Sequence, residues 1–176
     1  MNPRVEDQLI AFLPNLRRFA ISLCRSADRA DDLVQAACER ALAAADRFEP
    51  GTRFDAWMFR IVRNLWIDQV RRSKTAGPQE DVLEQRDLIG SDGAHDAEQR
   101  LTLKSVSDAI LDLPEEQREV LILVCVEELS YKEAAETLEI PIGTVMSRLA
   151  RARKNLAAAS GIEPAVGRSA PGGDRN

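Results

Sequence analysis

Histidine and cysteine are scarce: 176 residues hold one histidine and three cysteines. The histidine, His95, lies in a stretch rich in Ser, Gly, Pro and Asp, so a Ser/His or Cys/His pair has no base to work with. The cysteines, Cys24, Cys38 and Cys125, are odd in number and form no CxxC pair, whereas a structural zinc site takes four ligands. They are expected to be buried or partly buried free thiols, because free cysteine packs as a small apolar residue. Redox sensing through Cys24 and Cys38 is the alternative. The chain also lacks a Gly-rich phosphate loop, a long-period repeat and any alternating strand pattern. Neither catalysis, nor a metal, nor another cofactor is expected. Long apolar runs are missing too: the longest, Val120 to Val126, falls far short of the roughly 18 residues that span a bilayer. The N-terminus, MNPRVEDQ, carries acids where a signal peptide has a basic stretch and then an apolar one. A cytoplasmic protein without membrane insertion is expected.

What remains is helix. Apolar residues make up 44% of the chain, enough for a packed core. Leu9, Phe12, Leu13, Leu16, Phe19, Ala20 and Leu23 recur at intervals of three and four, the signature of one buried helix face. Asp28 or Asp31 is placed to cap a second helix, whose inward face is Leu33, Val34, Ala37, Ala41 and Leu42. After a turn at Glu49-Pro50-Gly51-Thr52, the pattern resumes through Trp57, Met58, Ile61, Leu65 and Val70. Residues 73–100 lose the periodicity and read as a flexible acidic linker. Helices resume over 101–159: Leu113-Pro114-Glu115 opens one, and Val120 to Val126 reads as apolar on all sides, as in the centre of a small bundle. Residues 160–176 read as a disordered tail. The fold class is therefore all-α, two small helical domains on a linker, with boundaries at 8–72, 73–100, 101–159 and 160–176.

The segment Ser130 to Leu156 carries the sharpest functional signal. Ser130 and Glu133 fit a capping box at a helix start. Pro141 is expected to stop that helix, since the residue before a proline avoids the helical region. The next helix, from about Ile142, bears Arg148, Arg151, Arg153 and Lys154 and no acid. This is the pattern of a helix-turn-helix whose second helix enters the DNA major groove. A solvated face, a membrane-surface helix and a partner-binding helix are the plainer alternatives. The net charge of −5 looks wrong for a nucleic-acid binder, but its distribution does not. Residues 51–74 hold six Lys/Arg against two Asp/Glu, and residues 143–160 hold four against none. Residues 101–142 hold three against ten. Local sign decides phosphate attraction.

Several motifs in fixed order extend this. They are Asp31-Asp32-Leu33-Val34-Gln35, and Phe54-x-x-Trp57-Met58-x-x-Ile61-x-Arg63-Asn64-x-x-x-Asp68-x-x-Arg71. Further on come Leu113-Pro114-x-x-x-Arg118, Tyr131-x-Glu133-x-Ala135 and Gly143-Thr144-Val145-x-Ser147-Arg148. Together they resemble the extracytoplasmic-function (ECF) sigma factors of bacterial RNA polymerase. Leu16-Arg17-x-Phe19-Ala20-Ile21-Ser22-Leu23-Cys24 is similar to the alphaproteobacterial general-stress subgroup of that family. The resemblance implies a partner, core RNA polymerase, and a second, promoter DNA. It also implies an anti-sigma factor to hold the protein off, and a role in a stress response. Residues 8–72 would form sigma region 2 and residues 101–159 sigma region 4. Asp31, Asp32 and Gln35 would dock on the polymerase, although an ordinary solvated helix start explains the acids as well.

The resemblance assigns the −10 element to Arg53, Arg60, Arg63, Asn64, Arg71 and Arg72, with the loop Phe48 to Phe54 as the pocket for a base drawn out of the stack. Trp57 and Trp66 suit core packing and base stacking equally. Arg60, Arg63 and Asn64 cannot all share one helix face with Trp57, so some are structural. The −35 element falls to Thr144, Ser147, Arg148 and Arg151, since an arginine can bond two guanine acceptors at once. Arg153 and Lys154 suit phosphates. Met146 stands where many relatives carry a basic residue. The acidic linker replaces the domain between regions 2 and 4 of primary sigma factors, and could mimic nucleic acid in a polymerase channel. A free-standing helix-turn-helix regulator, which would bind duplex DNA alone and usually as a dimer, is the competing reading.

Overall fold

The computed structural model describes residues 3–49, 51–77 and 97–160. Among them every regular element is helical: α1 (Pro3–Cys24), α2 (Ala27–Ala43), a 3₁₀ turn (Ala45–Arg47), α3 (Phe54–Ala76), α4 (Ala97–Leu111), α5 (Glu115–Leu121), a π turn (Ile122–Val126), α6 (Tyr131–Leu138) and α7 (Ile142–Ser160). The fold is all-α. Residues 73–76 continue α3 and 97–100 begin α4; the rest of the expected linker and the expected tail lie outside the described residues.

The N-terminal unit packs α1, α2 and α3 around an apolar centre. Leu16, Phe19, Ala20 and Leu23 of α1 meet Leu33, Ala37 and Ala41 of α2 and Met58, Phe59 and Val62 of α3, all buried. Phe59 takes Phe12 and Phe19 edge-on, with ring centroids 5.2 and 5.0 Å away, a geometry that the aromatic quadrupole favours. Two expectations change here. Leu13, read as part of the buried face, is exposed. The inward face of α3 is Met58, Phe59, Val62 and Trp66, whereas Ile61, Leu65 and Val70 are only partly covered. The α2 cap is Ser26, whose hydroxyl accepts from Arg29 N–H at 3.4 Å. Asp28 instead sits in the first turn, where a negative charge complements the helix N-terminus, and Asp31 pairs with Arg17 at 2.7 Å.

The loop after α2 is held from inside. Phe48 is buried with Val5 and Ala45 and packs on Phe54 and Trp57. Gly51 takes φ 100°, and Thr52 N–H donates to Glu49 O at 3.2 Å, closing the turn. A φ of that sign suits glycine at the third position of a type II turn.

In the C-terminal unit Leu111, Leu113, Val120, Leu123, Leu138, Val145, Leu149 and Ala152 form the buried centre. The capping box is formed: Ser130 Oγ accepts from Glu133 N–H at 3.1 Å, and Glu133 Oε2 accepts from Ser130 N–H at 2.7 Å. The stop of α6 differs from expectation. Glu139 takes the left-handed conformation (φ 55°), and Ile140 N–H reaches Ala135 O at 3.1 Å. This is the 6→1 bond of a Schellman turn. Pro141 instead opens α7, its carbonyl accepting from Thr144 and Val145 N–H at 2.9 and 3.2 Å. The run Val120 to Val126 is not buried all round. From Ile122 it winds into the π turn, Glu127 N–H bonding Ile122 O at 2.9 Å. Cys125 and Val126 are left exposed. Cys24 is buried and Cys38 partly so; Cys125 departs from the expected burial.

The two units share one continuous core, with α1 against α5 and α3 against α6. Polar groups staple the seam. Arg118, 3% exposed, donates to Leu111 O (3.0 Å) and Leu113 O (2.8 Å) in its own unit. It also donates to Ser22 O and Leu23 O at the end of α1. Those are carbonyls of a helix's last turn, which have no intrahelical partner. Burial lowers the Arg118 pKa. Glu127, buried, accepts from Asn15 at 2.6 Å and Arg18 at 2.8 Å.

Candidate nucleic-acid interface

Two helices present the basic residues singled out above. On α3, Arg53 and Arg60 are separated by two turns and so lie on one face. Both line a cavity of about 530 Å³ together with Phe48, Thr52, Trp57 and, from α6, Glu133. The loop Phe48 to Phe54 thus borders a pocket, as the sequence suggested it could. Its far wall, however, belongs to the C-terminal unit.

The cations in and near this pocket already have partners. Arg53 bonds both oxygens of Glu133 at 2.9 and 2.8 Å and also pairs with Asp55. The Asp55 bond, then Glu133, raises its pKa. Burial alone would raise the Glu133 carboxyl, but bonds from Ser130 and Arg53 outweigh it and hold the carboxyl below its ordinary value. Arg60 reaches the Glu136 carbonyl at 3.4 Å. Arg63 points elsewhere, to Glu119 at 3.4 Å, and both side chains are largely buried. Burial pushes Glu119 up to about 7, against the pull of Arg63 and Arg148. Asn64 is half-buried, and Arg71 and Arg72 are exposed in the last turns of α3.

The tryptophans are packed. Trp57 leans on Phe48 and Phe54, with ring centroids 4.9 and 6.0 Å away. Trp66 is buried, donates through Nε1 to Glu115 at 3.0 Å, and carries Arg29 over its ring at 5.1 Å. A cation over an indole face is an attractive electrostatic contact.

On α7, Val145, Leu149 and Ala152 face the core. Ser147, Arg151, Arg153 and Lys154 are exposed, and Thr144 is half-buried. Arg148 is turned partly inward, 3.6 Å from Glu116. Arg153 lies 3.8 Å from the Cys125 sulfur. Met146, 52% exposed, and Ile142 add an apolar element to this outer face. Asp31, Asp32 and Gln35 are exposed on α2, with Gln35 bonding Glu39 at 3.2 Å. The α2 acids, the α3 cations and the α7 cations thus stand on three different helices, and Arg63 of α3 and Arg148 of α7 both face Glu119.

Sequence reading missed the seam residues Asn15, Arg18, Glu115, Glu119 and Glu127. Their contacts join positions roughly 50 to 110 apart in the chain, and no local pattern marks them. Among the described residues no group of three or more His, Cys, Asp or Glu could hold a metal ion, and no helix is long and apolar enough to cross a membrane.

Comparison with known proteins agrees with this organisation. Residues 10–75 match the Sigma-70 region 2 family and residues 103–156 the Sigma-70, region 4 family. The ECF RNA polymerase sigma factor EcfG of Rhodopseudomonas palustris (strain TIE-1) is 41% identical over 156 residues, covering 88% of this chain and 83% of that one. SigW of Bacillus subtilis (strain 168), another ECF RNA polymerase sigma factor, is 36% identical over 138 residues, 72% of this chain and 73% of the relative. Among solved structures, the sigma factor RpoE in its co-crystal with the anti-sigma factor NepR from Bartonella quintana superposes with a TM-score of 0.74. It is 36% identical and covers 90% of this chain and 97% of the other. CnrH, solved with the cytosolic domain of CnrY, gives 0.64 at 26% identity, over 93% and 91% of the two chains. Both halves of the chain, in order, are those of a transcription initiation factor, and the chain belongs to the ECF RNA polymerase sigma factors.

Proposed function

We propose that this protein is a promoter-specificity subunit with no catalysis of its own: it binds core RNA polymerase in the cytoplasm and directs it to promoters. The observation that carries the reading is the pair of basic helical faces, on α3 and α7, inside the two matched sigma regions of one chain. In this reading Arg53, Arg60, Arg63, Asn64, Arg71 and Arg72 serve the −10 strand, and Arg63 and Asn64 do so partly through packing. Ser147, Arg148 and Arg151 read the −35 duplex, with Thr144 at the helix entry, while Arg153 and Lys154 hold phosphates. Asp31, Asp32 and Gln35 dock on the polymerase, supported by their exposure on α2. The RpoE–NepR and CnrH–CnrY complexes support an anti-sigma partner here. The likeness to EcfG supports a place in the general-stress subgroup.

Run-off transcription with purified core polymerase tests the central claim. Promoter-dependent transcripts should appear only when the protein is added. Their absence on a library of randomised −35/−10 templates would sink it. A free-standing regulator would instead shift duplex DNA without core polymerase, which the acidic surroundings of α7 oppose: residues 101–142 hold ten acids against three bases.

A further inference from the structure

The outer face of α7 begins with a row that carries no polar side chain. Ile142, Met146 and Ala150 follow at intervals of four and stand one above the other. All three are exposed. Ile142 is 49% and Met146 52% exposed, on a helix whose buried side is Val145, Leu149 and Ala152. Lys154 continues the row toward the helix end. The row beside it starts at Gly143 and goes on to Ser147 and Arg151, both exposed. A Cβ added at Gly143 would meet nothing within 4 Å, and its φ is not positive. Neither packing nor backbone conformation calls for glycine there, and its bare Cα leaves the approach to Met146 open.

Charge names the occupant of the apolar row. Arg151 and Lys154 border it, and no acid occurs from Gly143 to Leu156, which suits a polyanion. In the major groove of DNA the apolar group on offer is the C5 methyl of thymine. A thioether chain laid on a base amino group or carbonyl would bury it without a partner, at a cost. Laid on a methyl group, it buries apolar surface against apolar surface. Met146 also lies in the first two turns of α7, the part of a recognition helix that reaches base edges. We infer that Met146 is a specificity-determining residue, which reads a thymine of the −35 element through its C5 methyl. Where a basic residue would seek the acceptors of guanine, methionine seeks a methyl group. The inference deepens the proposed function and rests on it, since α7 must be the helix that enters the groove.

The test uses the full chain with core polymerase. A −35 element is first selected from randomised duplexes. Each of its thymines, on either strand, is then replaced singly by deoxyuridine, which removes the methyl and keeps every hydrogen-bonding group. Affinity is read by fluorescence anisotropy of the labelled promoter. With the parent protein one replacement should weaken binding about fourfold, as for one buried methyl group. Met146→Ala should bind the thymine and deoxyuridine duplexes equally. Met146→Leu, apolar and of similar size, should keep most of the difference. Both variants place a good helix former at an exposed position, so parental helicity accompanies them. The inference is overturned if no thymine of the element shows the effect, or if Met146→Ala retains it. Promoter binding without any response to the methyl removes this inference alone. Holoenzyme that binds no duplex better than core polymerase does removes the proposed function with it.

Discussion

Replacing Arg118 by Met should weaken the fold by about 2–4 kcal/mol, and the loss should be felt at the seam. The guanidinium is 3% exposed and satisfies carbonyls from three places at once: Leu111, Leu113 and the Ser22–Leu23 end of α1. Leu23 O, at 3.5 Å, is the weakest acceptor. Hydrogen bonds to a charged donor contribute about 1.5–3 kcal/mol each, and a buried carbonyl left without a donor costs roughly 1 kcal/mol or more. Against this stands the cost of burying the guanidinium, visible in its lowered pKa, which the substitution relieves. Methionine fills similar space without donors, so a cavity adds little.

Urea unfolding read by far-UV circular dichroism and by tryptophan emission provides the assay. Trp66 donates to Glu115 across the seam and reports on it directly. The expected result is a lower midpoint, with emission changing before helicity. Arg118→Lys should recover less than half the loss, since one ammonium cannot reach both sides. A change under about 0.5 kcal/mol, typical of a plain surface site, would refute the reasoning.

Glu119 should make stability depend on pH. Its folded pKa, about 7, lies above the unfolded value of 4.5, so its neutral form is favoured in the fold. Its contribution is complete below the unfolded value and is lost as pH rises through about 7, on the order of 3 kcal/mol. The groups facing it are Arg63, Glu115 and Arg148. Urea midpoints across that range should fall, and Glu119→Gln should flatten the slope; an unchanged slope removes Glu119 from the explanation. Glu133→Gln leaves Arg53 with Asp55 as its remaining acid and should strengthen binding of a single-stranded DNA oligonucleotide by up to about threefold, while thermal stability drops by less than about 1 kcal/mol, since glutamine still serves at this capping-box position. Arg148→Ala should cost roughly 1–3 kcal/mol in promoter binding and relax preference at one base pair. Lys154→Ala should weaken all sequences evenly and lower the salt slope by about one. Footprinting of holoenzyme on −35 variants distinguishes the two, and the reverse pattern would mean that their roles are exchanged.

Features set by neighbours in sequence were legible. The Ser130–Glu133 box and the inward face of α2 need only a few adjacent residues; the box formed as read, and the α2 face did so except that Ala30 joins it and Leu42 is only partly covered. Helix ends with a second solution nearby were not. Ser26 outcompeted the two aspartates because it sits at the entry, and Glu139 accepted a left-handed conformation two residues before the proline expected to act. Of the site residues, type and helix could be read but not orientation. Arg63 and Arg148 lie in basic stretches, yet their side chains turn toward Glu119 and Glu116. That turn is fixed by how the two units meet, for which sequence spacing holds no signal. Arg118 illustrates the same limit: its motif position was plain, its burial was not.

The π turn at Ile122–Val126 acts as a gear in the chain's rotation. Holding one residue more per turn than its α-helical surroundings, it advances everything after it by about 100° relative to an uninterrupted helix. That offset turns Cys125 and Val126 outward and brings Glu127 round to Asn15 and Arg18. One residue more or fewer at the exposed end of this stretch, Cys125–Val126, would leave the buried apolar side chains in place, yet misalign the acid that joins the units. One of the ties between the two halves of the molecule, that of Glu127 to α1, thus depends on the count of residues in a single turn, independently of which DNA either half reads.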